Sequence, residues 1–313
     1  MAHIRRLADG PLNHFFGYYG VNPWDTTGQL HLALGTAFHR RPPNVDDEAQ
    51  VGVVDRDSGR FTQYGVTRAF NLQQGSMLHW IDAGHGEELT YNVWRDGKVR
   101  SLAVEKTSRD EREIDAAIAA VSADGRQAMG LSYDRMYHCR SVVGYANDAD
   151  PRSIQKTPAD DGLFRIDLTT GRSDLILSFT DVIEFARRIP AAAFDGTVTG
   201  PVWFNHVVFN TDGSRMFFLC RMRTGSGGFR SARKAAVLHV RRQERRVHAV
   251  RRGRVARRRP YVFLAGQAAS GVRHVPVRSR SRLRSHAVRD CEREENDPVA
   301  APKRLDIRGR YSL

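Results

Sequence analysis

Three stretches of the chain repeat one pattern: an extended apolar segment, a polar turn ending in glycine, then a second apolar strand. They are Val21–Leu34 around Gly28, Ala120–Leu131 around Gly125, and Val208–Leu219 around Gly213. A degenerate copy spans Met77–Tyr91 around Gly86. The physical content is a tight hairpin, in which glycine takes a positive φ at no steric cost and a preceding Asp or Asn bonds the turn backbone. A second hairpin follows each of the first three blades' copies: Val51–Phe61 around Gly59, Trp94–Val104 around Gly97, and Leu163–Ser173 around Gly171. Two hairpins make four antiparallel strands, and that unit repeated is the blade of an incomplete, all-β propeller. An open β-sandwich is the alternative, but the repeated order of hairpins argues against it.

The turn glycines are unevenly spaced, and the surplus falls in loops rich in Pro, Asp, Gly and Ala at 38–48, 146–161 and 189–201. One short helix is expected over 181–188, with Thr180 as its N-cap. About four blades are recognisable, over residues 1–228, and the pattern then stops.

Beyond that boundary the composition changes. Residues 1–220 carry a net charge of −5 and residues 221–313 one of +19, so the whole basic surplus lies in the tail. Residues 229–313 read as a basic tail of low order, and Arg241–Pro260 has neither a period of 2 nor one of 3.6. Arg, Ala, Ser, Val and Pro dominate there, as they do when a GC-rich coding sequence is read out of frame. One codon choice for Val272–Ser281, read one base later, gives Tyr-Gly-Thr-Tyr-Arg-Phe-Asp-Leu-Asp-Leu, which is blade-like. The expectation is therefore a shift of frame near Thr224–Ser231, which leaves the chain truncated as a propeller. The alternative is a basic arm that binds nucleic acid.

Other features narrow the class. The three cysteines, Cys139, Cys220 and Cys291, form no C-x-x-C pair, so reduced thiols are expected. No apolar h-region opens the chain and no apolar run reaches bilayer length, so the expectation is a cytoplasmic protein with no membrane partner. No G-x-G-x-x-G, P-loop, H-E-x-x-H or G-x-S-x-G motif occurs.

Several segments together resemble the WD40-like (TolB-type) propellers related to oligogalacturonate lyase. They are Asn13–Tyr19, the Asn22-Pro-Trp-Asp25 turn, Arg41-Pro-Pro43, Asn71–Gly75 and Asn205–Gly213, and the likeness covers residues 10–222. The resemblance implies a seven-bladed propeller that cleaves short uronides by β-elimination, with a divalent metal, manganese, held by His and Gln side chains in the later blades. Those blades are absent or out of frame here, so the metal ligands stay unassigned and this chain is expected to be inactive.

β-Elimination from a uronide needs a cation on the carboxylate, which acidifies the adjacent C–H, and a positioned base. Arg suits the first role, because its planar fork matches a carboxylate, and His suits the second. In a propeller such groups converge at the channel mouth, so they should recur at the start of successive blades. Asn13-His14, Gln73-Gln74 and Asn205-His206 do recur there; blade three offers only Asp115 or Ala116. The candidate catalytic residues are His14, His206 and Arg41. The candidate substrate-binding residues are Asn13, Tyr18, Arg40, Gln73, Gln74 and Asn205. Tyr18 is expected on a strand, and Tyr133, Arg135 and His138 form a further polar-aromatic cluster entering a loop. The partner expected is an oligosaccharide. A non-catalytic propeller that binds a protein or a glycan is the competing reading, since fold does not fix function.

Overall fold

The computed structural model describes residues 6–18, 20–150, 154–187, 198–223, 233–241 and 247–249; the last two segments and Arg223 are described in backbone only. Residues 1–250 form one compact unit. It holds four four-stranded antiparallel sheets, each joined in chain order, which are the blades of an incomplete β-propeller. Blade one comprises β1 (Asn13–Phe15), β2 (Leu30–Thr36), β3 (Ala49–Asp55) and β4 (Phe61–Thr67). Blade two comprises β5 (His79–Ile81), β6 (Glu88–Arg95), β7 (Lys98–Glu105) and β8 (Glu111–Ile114). Blade three comprises β9 (Ile118–Val121), β10 (Gln127–Leu131), β11 (Gly162–Asp167) and β12 (Ser173–Ser178), and blade four β13 (Val202–Phe209), β14 (Arg215–Arg223), β15 (Arg233–Arg241) and β16 (Val247–Ala249).

The repeat has one hydrogen-bond geometry. In blades one, three and four the glycine N–H donates three residues back: Gly28 to Asp25 at 3.0 Å, Gly125 to Ser122 at 2.9 Å and Gly213 to Asn210 at 3.0 Å. A second turn recurs between the last two strands, where Gly59 donates to Asp55 at 2.9 Å and Gly171 to Asp167 at 2.8 Å. In blade two its counterpart is Arg109 donating to Glu105 at 3.2 Å, with Arg109 itself at φ +68°. The Gly97 turn expected in that role instead joins β6 to β7. There Asp96 and Gly97 both have positive φ, as a two-residue hairpin requires.

The cores lie between blades. Leu34, Val51 and Val53 of blade one pack with Leu89, Tyr91 and Leu102 of blade two. Ile81 and Ala103 of blade two meet Ile118, Ala128 and Ile166 of blade three. Met129, Leu163 and Leu177 of blade three meet Trp203, Phe204 and Phe218 of blade four. Among the described residues there are these three buried clusters, one per junction of consecutive blades.

Four expectations need correction. The blade pattern does not stop at residue 228, because β15 pairs with β14 along its whole length, from Arg223↔Arg233 to Arg215↔Arg241. Ala235–Val240 is the reason: apart from His239 it is an apolar, valine-containing run, flanked by Lys234 and Arg241, and it meets the open edge of β14. The rest of the tail, from residue 250 on, lies outside the described residues. The expected helix is α2 (Phe179–Arg187), but its cap is Ser178, with Thr180 inside the first turn. Ser178 Oγ accepts the Asp181 N–H at 3.0 Å while the Asp181 carboxylate accepts the Ser178 N–H at 2.9 Å, a reciprocal capping box. A further helix, α1 (Tyr133–Cys139), stands where a loop was expected, and Tyr18 lies beyond the end of β1 rather than on a strand.

Candidate functional site

The geometry singles out Tyr18 and His206. β13 pairs with β14 at Asn205↔Leu219 and resumes at Val208↔Phe217, so His206 and Val207 form a bulge. His206 holds φ +54°, a left-handed conformation uncommon for a residue with a Cβ and one that costs about 1–2 kcal/mol. Such strain is found where the surroundings fix a side chain for a purpose.

Tyr18 is delivered by a glycine interlock. Gly17 has φ +132°, and a Cβ there would lie 2.5 Å from the Gln74 carbonyl oxygen. Reciprocally, a Cβ on Gly75 would lie 2.7 Å from the Phe16 carbonyl oxygen. The loop holding Gln74 is itself tied by Asn71, whose Oδ1 accepts the N–H groups of Gln73 at 3.0 Å and Gln74 at 2.7 Å. The Tyr18 and His206 rings then lie 6.1 Å apart and 21° from parallel, with the Tyr18 hydroxyl hydrogen-bonded to His206 Nδ1. Burial, followed by the positive charges of Arg221 and Arg140, pushes the His206 pKa down to about 4, so the imidazole is neutral at pH 7. A neutral imidazole is a proton acceptor, and the two guanidiniums make its surroundings suited to an anion.

The other expected site residues scatter. His14 lies on β1 against the Phe61 ring, 4.8 Å between centroids, and shares no contact with His206. The equivalence of the two histidines in sequence therefore does not bring them together. Arg41 is exposed and grips Asp47 through both nitrogens at 2.5 and 2.7 Å, with its guanidinium 3.9 Å over the Phe38 ring. That pair ties down its own loop, and Arg40 beside it is exposed. Asn13 Nδ2 donates to the Thr36 carbonyl at 3.1 Å, a link inside blade one. Gln73 is exposed, Gln74 is buried beside Gly17, and Asn205 is 1% exposed with neither amide atom partnered among the described residues. Within the second cluster, Arg135 serves the chain trace. It donates to the carbonyls of Val202 and Gln155 at 2.7 Å each, and to that of Lys156 at 3.0 Å.

Sequence reasoning missed Arg140 and Arg221. Arg221 had a signal, since it is a charged residue inside the apolar run Met216–Met222. Arg140 follows α1, the helix that was not expected. For the implied manganese, no group of three or more His, Cys, Asp or Glu side chains among the described residues could hold a metal ion. No step below is routed through one. No helix among them is long and apolar enough to cross a membrane.

Four four-stranded antiparallel blades define a stretch of β-propeller. Among solved structures the chain is similar to TolB from Acinetobacter baumannii, with 11% identity, a TM-score of 0.38, and 72% of this chain matched to 42% of that one. It is similar to oligogalacturonate lyase in complex with manganese at 15% identity and a TM-score of 0.38, covering 78% of this chain and 68% of that one. An isopeptidase in its apo form matches at 12% identity and a TM-score of 0.29, over 78% of this chain and 46% of that one. The chain thus spans less than half of the length of TolB. No family model matches it, and no curated protein matches it in sequence.

Proposed function

We propose that this chain carries the first blades of a carbohydrate-active propeller that cleaves short uronides by β-elimination, with Tyr18 and His206 at the reacting centre. The observation that carries this reading is the hydrogen bond between the Tyr18 hydroxyl and Nδ1 of a bulged, strained, neutral His206. With the proton on Nδ1 donated to the Tyr18 oxygen, Nε2 carries the basic lone pair. Arg140 and Arg221 neutralise the uronate carboxylate, which acidifies the C–H beside it. His206 takes that proton, the C–H electron pair becomes the new C=C bond, and the glycosidic oxygen leaves with its own bonding pair. In this reading the Tyr18 hydroxyl protonates that oxygen.

The test is ultraviolet absorbance of the conjugated product from short oligogalacturonides, using this chain and a version whose codons after Thr224 are read in the shifted frame. Turnover by the reframed protein that His206→Gln abolishes and Tyr18→Phe lowers at unchanged melting temperature is the expected result. If neither protein cleaves uronides but the reframed one binds glycans, the non-catalytic binding module replaces the enzyme.

A further inference from the structure

His14, apart from the Tyr18–His206 pair, lines a groove of its own. The groove has a volume of about 480 Å³ and lies on the face of blade one turned away from blade two; His14, Arg60, Phe61, Leu12, Pro11 and Gln50 are among the residues around it. The face is set by strand register: His14 pairs with Gly35 and Gly35 with Gln50, opposite the Phe15–Leu34–Val51 row that packs on blade two. Val66, which pairs with Gln50, is 45% exposed on the same face.

Two glycines shape the floor. A Cβ on Gly52 would lie 2.8 Å from Phe61 Cζ, so its absence lets that ring lie against the sheet. A Cβ on Gly35 would lie 3.0 Å from Leu12 Cδ1 and 3.5 Å from the His14 ring. The result is an apolar floor of Phe61, Leu12 and Pro11 with polar groups above it. His14 Nε2 is buried and has no hydrogen-bond partner among the described residues. Burial, then the charge of Arg6, lowers the His14 pKa, so this ring is neutral near pH 7. Asp9, the carboxylate at the rim, pairs with Arg6 at 3.5 Å, and Asp57 pairs with Arg56 at 3.3 Å. Arg60 is exposed and forms no ion pair among the described residues.

We propose that this groove is a second ligand site, for a small organic anion that carries a carboxylate on an apolar or aromatic body. The body lies on Phe61 and Leu12. The carboxylate meets the planar fork of Arg60 at the rim, where bidentate pairing is geometrically favoured, and His14 Nε2 supplies the remaining polar contact. A cleft of this size, mostly apolar with a few convergent polar groups, has the usual form of a small-molecule site. The groove shares no residue with the Tyr18–His206 pair, and it is proposed for this chain as it stands, where among the described residues no further blade packs on that face.

The probes are phenylacetate and its uncharged analogue 2-phenylethanol, titrated into the full chain while the nitrogen resonances of the histidine rings are followed by NMR. Phenylacetate is expected to shift the His14 ring nitrogens and leave those of His206 in place. The neutral analogue should bind about tenfold more weakly or worse, and Arg60→Gln should weaken phenylacetate by a similar factor. Arg60 is exposed, so that variant tests recognition without disturbing the core; circular dichroism confirms its fold. Equal binding of the two probes would reduce the groove to an apolar patch and overturn the proposal. So would the absence of any His14 shift up to about 10 mM ligand, or a shift confined to His206.

Discussion

Replacing Asp25 with alanine removes the central member of a clasp between blades one and two. Its carboxylate accepts the N–H groups of Gln29 at 2.8 Å and Leu30 at 2.9 Å, the Thr27 hydroxyl at 2.7 Å, and Lys106 Nζ from blade two at 2.5 Å. Lys106 also reaches Glu87 at 2.8 Å, and the Trp80 indole donates to the Pro23 carbonyl at 3.0 Å, so the turn is held from both sides. Burial raises the Asp25 pKa, but Lys106 and the hydrogen bonds outweigh it and bring it down from 3.8 to about 2. At 1.36 kcal/mol per pKa unit this is about 2 kcal/mol of stability. Because the folded value lies below the unfolded one, that contribution is complete above pH 3.8 and disappears as pH falls towards 2. Asp25→Ala also strands the turn N–H groups, so its cost at pH 7 should be about 2–4 kcal/mol. Asp25→Asn keeps an acceptor for the turn and loses the charge facing Lys106, and should cost about half as much. Urea unfolding gives both numbers as shifts in midpoint at constant slope. The stability gap between the wild-type protein and Asp25→Ala should narrow by about 2 kcal/mol between pH 4 and 2, leaving the part due to the stranded N–H groups. A gap under about 0.5 kcal/mol at pH 7, the usual range for surface substitutions, would refute the reasoning; so would one that did not narrow in acid.

Two histidines set a second acid window. Burial lowers both His206 and His79 to about 4, the latter while its Nδ1 bonds the Met77 carbonyl at 2.8 Å. The unfolded chain therefore binds more protons between pH 6.5 and 4, and stability should fall there by up to about 3 kcal/mol per histidine; melting temperatures of His206→Gln and His79→Gln across this range should show a shallower slope. Ending the chain at residue 228 removes β15 and β16 and bares the hydrogen-bonding edge of β14, whereas ending it at residue 250 keeps all four sheets. The shorter protein should aggregate on light scattering and the longer one should not. The full chain as it stands should release little or no conjugated uronide, and activity equal to that of the reframed protein would show that the missing blades are dispensable.

Much of the fold was legible because the turns are local chemistry. Asp25, Ser122 and Asn210 precede their glycines at one spacing, and side-chain acceptors there need no tertiary context. Blade two was misread because Arg109 occupies the left-handed position that Gly59 and Gly171 hold elsewhere. Its guanidinium lies 3.2 Å from the centroid of the Tyr64 ring, a contact from blade one that no local pattern reveals. The helix α1 was hidden because Tyr133–Cys139 buries residues on several sides, among them the charged Arg135, which is satisfied by distant carbonyls. Of the proposed site, His206 was a candidate by residue type, but its bond to Tyr18 depended on a bulge between Asn205 and Val208, and a one-residue irregularity of pairing leaves no mark in composition or period. The pairing of Arg41 was not legible, because it depends on Asp47 and Asn44 closing that loop on themselves.

The bond between Tyr18 and His206 spans 188 positions of the chain. Each blade junction, by contrast, joins segments that follow one another and can form as soon as the second is made. During synthesis at about 5–20 residues per second, Tyr18 emerges on the order of 10–40 seconds before its partner. The pair closes a loop far longer than any hairpin of the fold, and loop closure of that length costs more entropy than any single hairpin. It should therefore be among the last contacts to form and the first to open. Hydrogen exchange would find the strap of residues 16–18 exchanging through a low-energy opening while the strands of blades two and three remain protected. The Tyr18–His206 bond would then report completed folding, since no partly folded intermediate lacking blade four contains it.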